Sequence, residues 1–308
     1  ALEVDIASPN AGNIAKGFFE TWFEPHRIVP TQSGNEGFVT GYFEPEIKAS
    51  PKKTERFKFP ILKRPDDLVA IDDQSRPVDM DASFFFAKKL NGKLVEYEDR
   101  KAIETGALDS KGLELFWFEN RIDIFFIHIQ GSARLVMPDG EIKRISYAGK
   151  TGHPFTAIGK LLVERGELTL ENVTMQSIRA WLENHPDQSD ALMQENRSYI
   201  FFQEIDHPDR ELGPVAAAGV ALTPGRSLAV DHRLQTFGTP IWVTTDKPLP
   251  DSSTSFARLM FAQDTGSAIV GPARGDLFIG TGFEAGQIAG RIKHDADFIA
   301  FLPIDRAK

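Results

Sequence analysis

From about residue 198 onward the chain is a succession of short apolar or alternating runs: YIFFQEI, GVALTP, SLAVD, PIWVTT, SFARLMFAQD, DLFIGTG and FIAFLPI. Gly, Pro and Asp separate them. Short runs bounded by turn residues point to a β-barrel or sandwich rather than a parallel α/β sheet. The preceding region is different. AGNIAKGFFETWF sets Ile14, Phe18 and Trp22 at helical spacing, so an amphipathic helix is expected there. GFVTGYFEPEI reads as a strand halted at Pro45. RIDIFFIHIQ (121–130) alternates in a way that suits a strand, and MPDGE (137–141) predicts a hairpin turn. PFTAIGKLLVERG and TMQSIRAWLENHP read as helices, punctuated by Pro154, Gly166 and Pro186. The coarse plan is a mixed α+β middle between an N-terminal piece and a β-rich C-terminal piece.

Composition removes several classes of function. There is no cysteine among the 308 residues, so thiol catalysis, thiolate metal sites and disulfides are excluded. A net charge of −9 argues against nucleic acid as a partner, because phosphate binding needs a basic face. The seven histidines show no zinc-like pairing, and no apolar run reaches membrane-spanning length. At this length two domains of ordinary size are expected.

The segment AQDTGSAIVGPARGDLFIGTG (262–282) carries only Asp264, Arg274 and Asp276 as ionisable groups. Together with Asp231 in GRSLAVD, these aspartates sit at the edges of apolar runs. Two readings stand. Turn aspartates accept backbone N–H bonds. Alternatively, one carboxyl buried against Leu277 and Phe278, or raised by a second carboxylate nearby, stays protonated long enough to donate to a glycosidic oxygen. Three carboxylates could also bind a hard cation, but no calcium-loop spacing is present. His128 on its apolar run, and Trp22, Trp117 and Trp181, read as core.

Six motifs in one order resemble a known family: TGYFEP (40–45), FFIHIQGSARL (125–135), YAGKTGHPF (147–155), GRSLAVD (225–231), AQDTGSAI (262–269) and GDLFIGTG. The chain is similar, from about Thr40 to Gly290, to the membrane-bound lytic murein transglycosylase A (MltA) family, with a C-terminal three-aspartate domain. It departs from the family after Asp231, where it reads HRLQTFG, and at Ser267 and Val270. Neither departure removes a carboxylate.

The resemblance implies a mainly β chain with α+β parts. A discontinuous double-psi β-barrel (1–46 plus 207–308) would be interrupted by an inserted mixed α/β domain (47–206), with a glycan groove between them. It implies cleavage of the β-1,4 bond between N-acetylmuramic acid and N-acetylglucosamine in peptidoglycan, without water, leaving 1,6-anhydro ends. Asp276 would be the catalytic acid and then base, with Asp264 and Asp231 as supporting carboxylates. Apart from the resemblance, Thr40, Gly41 and Tyr42 are read as sugar contacts, because hydroxyls and aromatic faces suit pyranose rings. Gln130, Ser132, Arg134 and Tyr147 are candidates for glycan contact, with a structural reading equally open. Lys150 and Thr151 stand equally between that role and a structural one. No cofactor and no metal are implied.

The implied partner is the peptidoglycan glycan strand, not nucleic acid, met by a monomer in the periplasm of a Gram-negative bacterium. Association with the outer membrane is expected only through a segment absent from this chain. Two rivals remain open: a hydrolytic β-1,4-glycanase, for which Glu44 or Glu46 could supply a second carboxylate, and a non-catalytic wall-binding module.

Overall fold

A computed structural model describes residues 9–30, 36–206, 212–250 and 252–305. The chain is mainly β with several helices. It divides into two compact units, one formed by residues 1–41, 216–278 and 292–308 and the other by 42–215 and 279–291. The boundary falls within the strands Gly37–Glu44 and Arg274–Thr281, so each strand contributes to both units.

The first unit is organised on a seven-stranded sheet. Its strands run in the order Phe23–Arg27, Lys293–Pro303, Pro240–Pro248, Ser255–Asp264, Ser227–Val230, Arg274–Thr281, Gly37–Glu44. Lys293–Ala296 also pair with Gly37–Thr40, so the last strand returns to the second and six strands follow one another in a ring of pairings. Ser227–Val230 lies at the heart of this arrangement, parallel to Ser255–Asp264 and antiparallel to Arg274–Thr281, with every residue buried. That explains why SLAV shows no polar alternation: both faces are covered. Leu228, Val243, Met260, Leu277 and Phe278 are fully enclosed, each worth roughly 1.5–3 kcal/mol of burial. Gly275 is dictated by this packing, since a Cβ there would come within 2.8 Å of the Phe298 ring and 2.9 Å of Leu228.

The N-terminal helix forms as expected, over Ala11–Trp22, but none of its residues is buried. Trp22, expected in the core, is 46% exposed. The helix meets the rest of its unit through Phe19, 5.7 Å from Phe301, and through the Trp22 carbonyl, which accepts the Ile304 N–H at 2.9 Å. GVALTP does not become a strand. It turns at Gly219, whose φ is +74°, and supplies a single bridge residue, Ala221.

The second unit holds a four-stranded sheet, ordered Ile200–Ile205, Ile142–Lys150, Ser132–Val136, Glu46–Lys48. A two-stranded and a three-stranded sheet accompany it. The hairpin at MPDGE is present, joining Ser132–Val136 to Ile142–Lys150. The stretch Arg121–Gln130, expected as a strand, is an α-helix. Its residues Ile124 through His128 are buried in succession, and a helix covered on most sides reads the same as a strand covered on both. The signals that decide it are the ends. Asn120 caps the helix by accepting the Asp123 N–H at 2.8 Å, and Gly131 closes it in the left-handed region with φ +78°. Met175–Asn184 is helical as expected, and Pro186 then opens a further helix, Pro186–Gln194, as proline at the first helical position does.

Candidate active site

Asp276 lies on the strand Arg274–Thr281 opposite Ala229, the register partner of Asp264 on the other side. Paired residues of neighbouring strands share a face, so the two carboxylates lie in one row with a methyl group between them. Two strand spacings put their backbones about 10 Å apart. Part of Asp276 remains accessible. Even so, loss of hydration outweighs every other influence on it and pushes its pKa up to about 6. The Asp264 charge pushes in the same direction, while the Arg274 charge and the Thr40 hydrogen bond pull it back down.

Thr40 Oγ1 donates to Asp276 Oδ1 at 2.6 Å and accepts from Arg274 Nη2 at 2.8 Å. Among the described residues no other hydrogen bond to the Asp276 carboxyl is found. Arg274 also donates to the Gly275 carbonyl and lies over the Phe38 ring, 5.4 Å from its centroid. The Arg274 side chain is not singled out by motif reasoning, yet a signal was available: residues two apart on a strand share a face, so Arg274 belongs beside Asp276.

Asp264 accepts the Thr265 N–H at 2.9 Å and the Ala217 N–H at 3.4 Å, the bonding of a carboxylate at a strand end. Asp231 is buried and more heavily engaged. Arg233 meets both its oxygens, Nε at 3.0 Å and Nη2 at 2.9 Å, and the Gly271 N–H donates at 3.0 Å. These bonds hold its pKa down to about 2, so it is a permanent anion pinning the loop at Gly271.

Gly41 and Tyr42 continue the strand beyond Thr40 and are half-buried. In the second unit Gln130 turns its Oε1 to the Phe43 N–H at 3.1 Å. Ser132 is buried, and Arg134 pairs with Glu46 at 2.8 Å. Tyr147, 42% exposed, presents the most open ring among these expected contacts. Thr151 is fully buried and receives the Tyr199 N–H at 3.2 Å, a structural position. His128 is core, though neither ring nitrogen has a hydrogen-bond partner; it packs between Tyr199 and Phe202, and burial holds it neutral.

Glu44, one of the two rival bases, is fully buried. Arg144 approaches both its oxygens, at 3.1 and 3.2 Å, and Thr281 donates to it at 2.8 Å. Burial raises its pKa against those partners. Arg144 and Thr281, missed in the sequence, make Glu44 the centre of an internal ion pair. Among the described residues no group of three or more His, Asp and Glu side chains is placed to hold a metal ion.

The family profile described as the MltA specific insert domain matches residues 38–203, and that of the 3D domain matches residues 226–302. The chain belongs to the MltA family. Membrane-bound lytic murein transglycosylase A of Vibrio cholerae is 33% identical over 268 residues, 85% of this chain and 64% of the relative. The same enzyme of Escherichia coli is 33% identical over 269 residues, with the same shares. The match to this chain therefore spans just under two thirds of those MltA proteins.

Among solved structures, the membrane-bound lytic murein transglycosylase of Agrobacterium tumefaciens superposes with a TM-score of 0.88 at 47% identity. That match covers 98% of this chain and 81% of the neighbour. E. coli MltA with bound chitohexaose superposes at 0.70 with 29% identity, covering 88% of this chain and 74% of that one.

Proposed function

We propose that this MltA-family chain is a peptidoglycan lytic transglycosylase in which Asp276 acts as acid and then as base. The observation that carries the reading is the state of that carboxyl: partly buried, hydrogen-bonded once among the described residues, and raised to about 6, where it can hold a proton near neutral pH and also release it. The chitohexaose on the E. coli relative, a β-1,4-linked chain of six sugars, supports a glycan strand as substrate.

The step balances without water. Protonated Asp276 gives its proton to the glycosidic oxygen as the bond from the N-acetylmuramic acid C1 breaks. The C6 hydroxyl of the same sugar then bonds to C1, and its proton returns to the Asp276 carboxylate. One ring supplies both nucleophile and electrophile, so proximity replaces a second catalytic carboxylate. The products are an N-acetylglucosamine end and a 1,6-anhydro-muramoyl end.

Asp264 supports the acid form of Asp276 by its charge, and Asp231 holds the loop beside it. Thr40, Gly41, Tyr42, Gln130, Ser132, Arg134 and Tyr147 are assigned to the glycan-binding surface, with Tyr147 the strongest candidate for ring stacking. The ring of six strand pairings supports a double-psi barrel built from residues 1–46 and 207–308, with 47–206 as the insert. We place the protein in the periplasm at the outer membrane, acting as a monomer, in keeping with the membrane-bound names of its relatives. No helix among the described residues is long and apolar enough to cross a membrane.

The hydrolase alternative is less well served: Glu44 is sealed in an ion pair, and Glu46, though exposed, is paired with Arg134. Digestion of purified peptidoglycan followed by borohydride separates the readings. New ends that resist reduction support transglycosylation, reducible ends support hydrolysis, and binding without soluble products supports a wall-binding module.

A further inference from the structure

The connection Arg274–Thr40–Asp276 has a directionality that the residue types impose. A guanidinium has donors and no acceptor. Arg274 Nη2, 2.8 Å from Thr40 Oγ1, therefore uses the hydroxyl's lone pair. The single hydroxyl proton of Thr40 must then point at its other neighbour, Asp276 Oδ1, 2.6 Å away. An oxygen that accepts so short a bond from a fixed donor is a poor place for the carboxyl's own proton. When Asp276 is protonated, the proton sits on Oδ2.

We propose that Arg274, acting through Thr40, is a positioning residue that confines the acid proton of Asp276 to Oδ2, the oxygen left for the substrate. The proposal rests on Asp276 being the acid of the transglycosylation. It deepens that reading by assigning one oxygen to the protein and the other to both proton transfers. Oδ2 gives its proton to the departing glycosidic oxygen and then takes one from the C6 hydroxyl, while Oδ1 stays bonded to Thr40 throughout. It also narrows the role of Thr40: its one hydroxyl proton is committed to Asp276, so toward a sugar the hydroxyl can only accept.

The electrostatics run the same way. Arg274 and Thr40 both stabilise the anion that forms after the first transfer, against burial and the Asp264 charge, which favour the acid. Within the first unit, strand register places two further charged residues of the described chain in line with this cluster: Asp264, beyond Ala229, and Lys293, the register partner of Thr40. Neither stands between Arg274 and the carboxyl. Arg274 is half-buried and held by the Gly275 carbonyl and the Phe38 ring, so its fork is aimed before substrate arrives.

The test is the pH profile of kcat/KM for soluble product release from peptidoglycan, in wild type, R274Q, R274K, T40V, T40S and D276N. A general acid loses activity as pH rises through its pKa. Removing the positive charge in R274Q should move that alkaline limb up by about one pH unit. T40V should move it in the same direction and lower kcat at least about tenfold, as loss of an oriented proton donor does. R274K and T40S, which keep the charge or the hydroxyl, should restore the wild-type limb.

An unmoved limb in R274Q, with wild-type kcat in T40V, overturns the proposal. If R274Q does not fold, as judged by circular dichroism and thermal melting, the T40V and T40S pair decides by the same criterion. Cleavage by D276N would instead remove the assignment of the acid, so failure of the relay and failure of the underlying reading give different results.

Discussion

Two carboxylates in this protein, Glu44 fully buried and Asp276 partly, have the same kinds of neighbour and opposite roles. In the first unit Asp276 has a threonine hydroxyl at 2.6 Å and an arginine that reaches the threonine. In the second, Glu44 has a threonine hydroxyl at 2.8 Å and an arginine against the carboxylate itself. The strand Gly37–Glu44 supplies Thr40 to one and Glu44 to the other, while Arg274–Thr281 supplies Asp276 and Thr281. What differs is where the guanidinium makes contact. Direct pairing sets a guanidinium against a fully buried Glu44, with both hydrogen bonds on Oε2 and Oε1 sealed beside Arg144. Contact through a hydroxyl leaves one oxygen of the partly exposed Asp276 without a partner among the described residues. A carboxyl can do acid–base chemistry on a substrate only in the second arrangement, because a proton transfer needs an oxygen that the substrate can reach.

The largest expected effect is on catalysis. D276N should lower peptidoglycan cleavage by a factor of about 10³, within the range for loss of a general acid, while binding to isolated sacculi is retained. The corresponding change at the other carboxylate should act on stability. R144M leaves Glu44 buried and unpaired, and should cost about 3–5 kcal/mol in chemical denaturation. The double variant E44Q/R144M should cost clearly less than the sum of the single changes. If R144M abolished cleavage at unchanged stability, the two carboxylates would not be divided as described.

The contrast also has a signature in pH. Asp276 has a folded pKa of about 6, above its ordinary 3.8. Its contribution is therefore most favourable below about pH 4 and declines as pH rises through 6. D276N, which cannot ionise, should be more stable than wild type by about 3 kcal/mol at pH 8 and little different at pH 4. Asp231 has the opposite sign. Its folded pKa of about 2 makes it stabilising above pH 4, a contribution lost between 4 and 2. D231N should cost about 1–2 kcal/mol at pH 7, discounted for the half-exposed Arg233, and almost nothing at pH 2. Equal pH dependence in the two variants would contradict the assignment.

The smallest effect should come from Asp264, about 10 Å from Asp276 across Ala229. D264N removes a charge that favours the acid, so the alkaline limb should fall by less than about one pH unit. That direction is opposite to the shift expected for R274Q. An unmoved limb in D264N would mean that the Asp264 charge is not felt at Asp276.

Much of this was legible in the sequence, and the failures have physical causes. The strands Ser227–Val230, Pro240–Pro248, Ser255–Asp264 and Arg274–Thr281 follow from short apolar runs bounded by Gly, Pro and Asp. Asp276 stands out as a carboxylate between glycines and large apolar neighbours. Arg121–Gln130 was misread because burial on nearly all sides erases the helical period, leaving only Asn120 and Gly131 to mark its ends. Trp22 was misplaced because an amphipathic pattern shows which face is apolar, not whether anything covers it. The wiring of Arg274 and Arg144 was out of reach for another reason. Both lie near a carboxylate once folded, but whether a guanidinium meets the acid or a hydroxyl beside it depends on a few ångströms of register.

The most direct test of the central claim is the chemistry of the newly made glycan end. Peptidoglycan digested by the wild-type protein in heavy-oxygen water, then treated with borohydride, should yield muramoyl ends that resist reduction and carry no heavy oxygen. Reducible ends bearing the label would show that water is the nucleophile, and would contradict a reaction completed within one sugar ring by Asp276 alone.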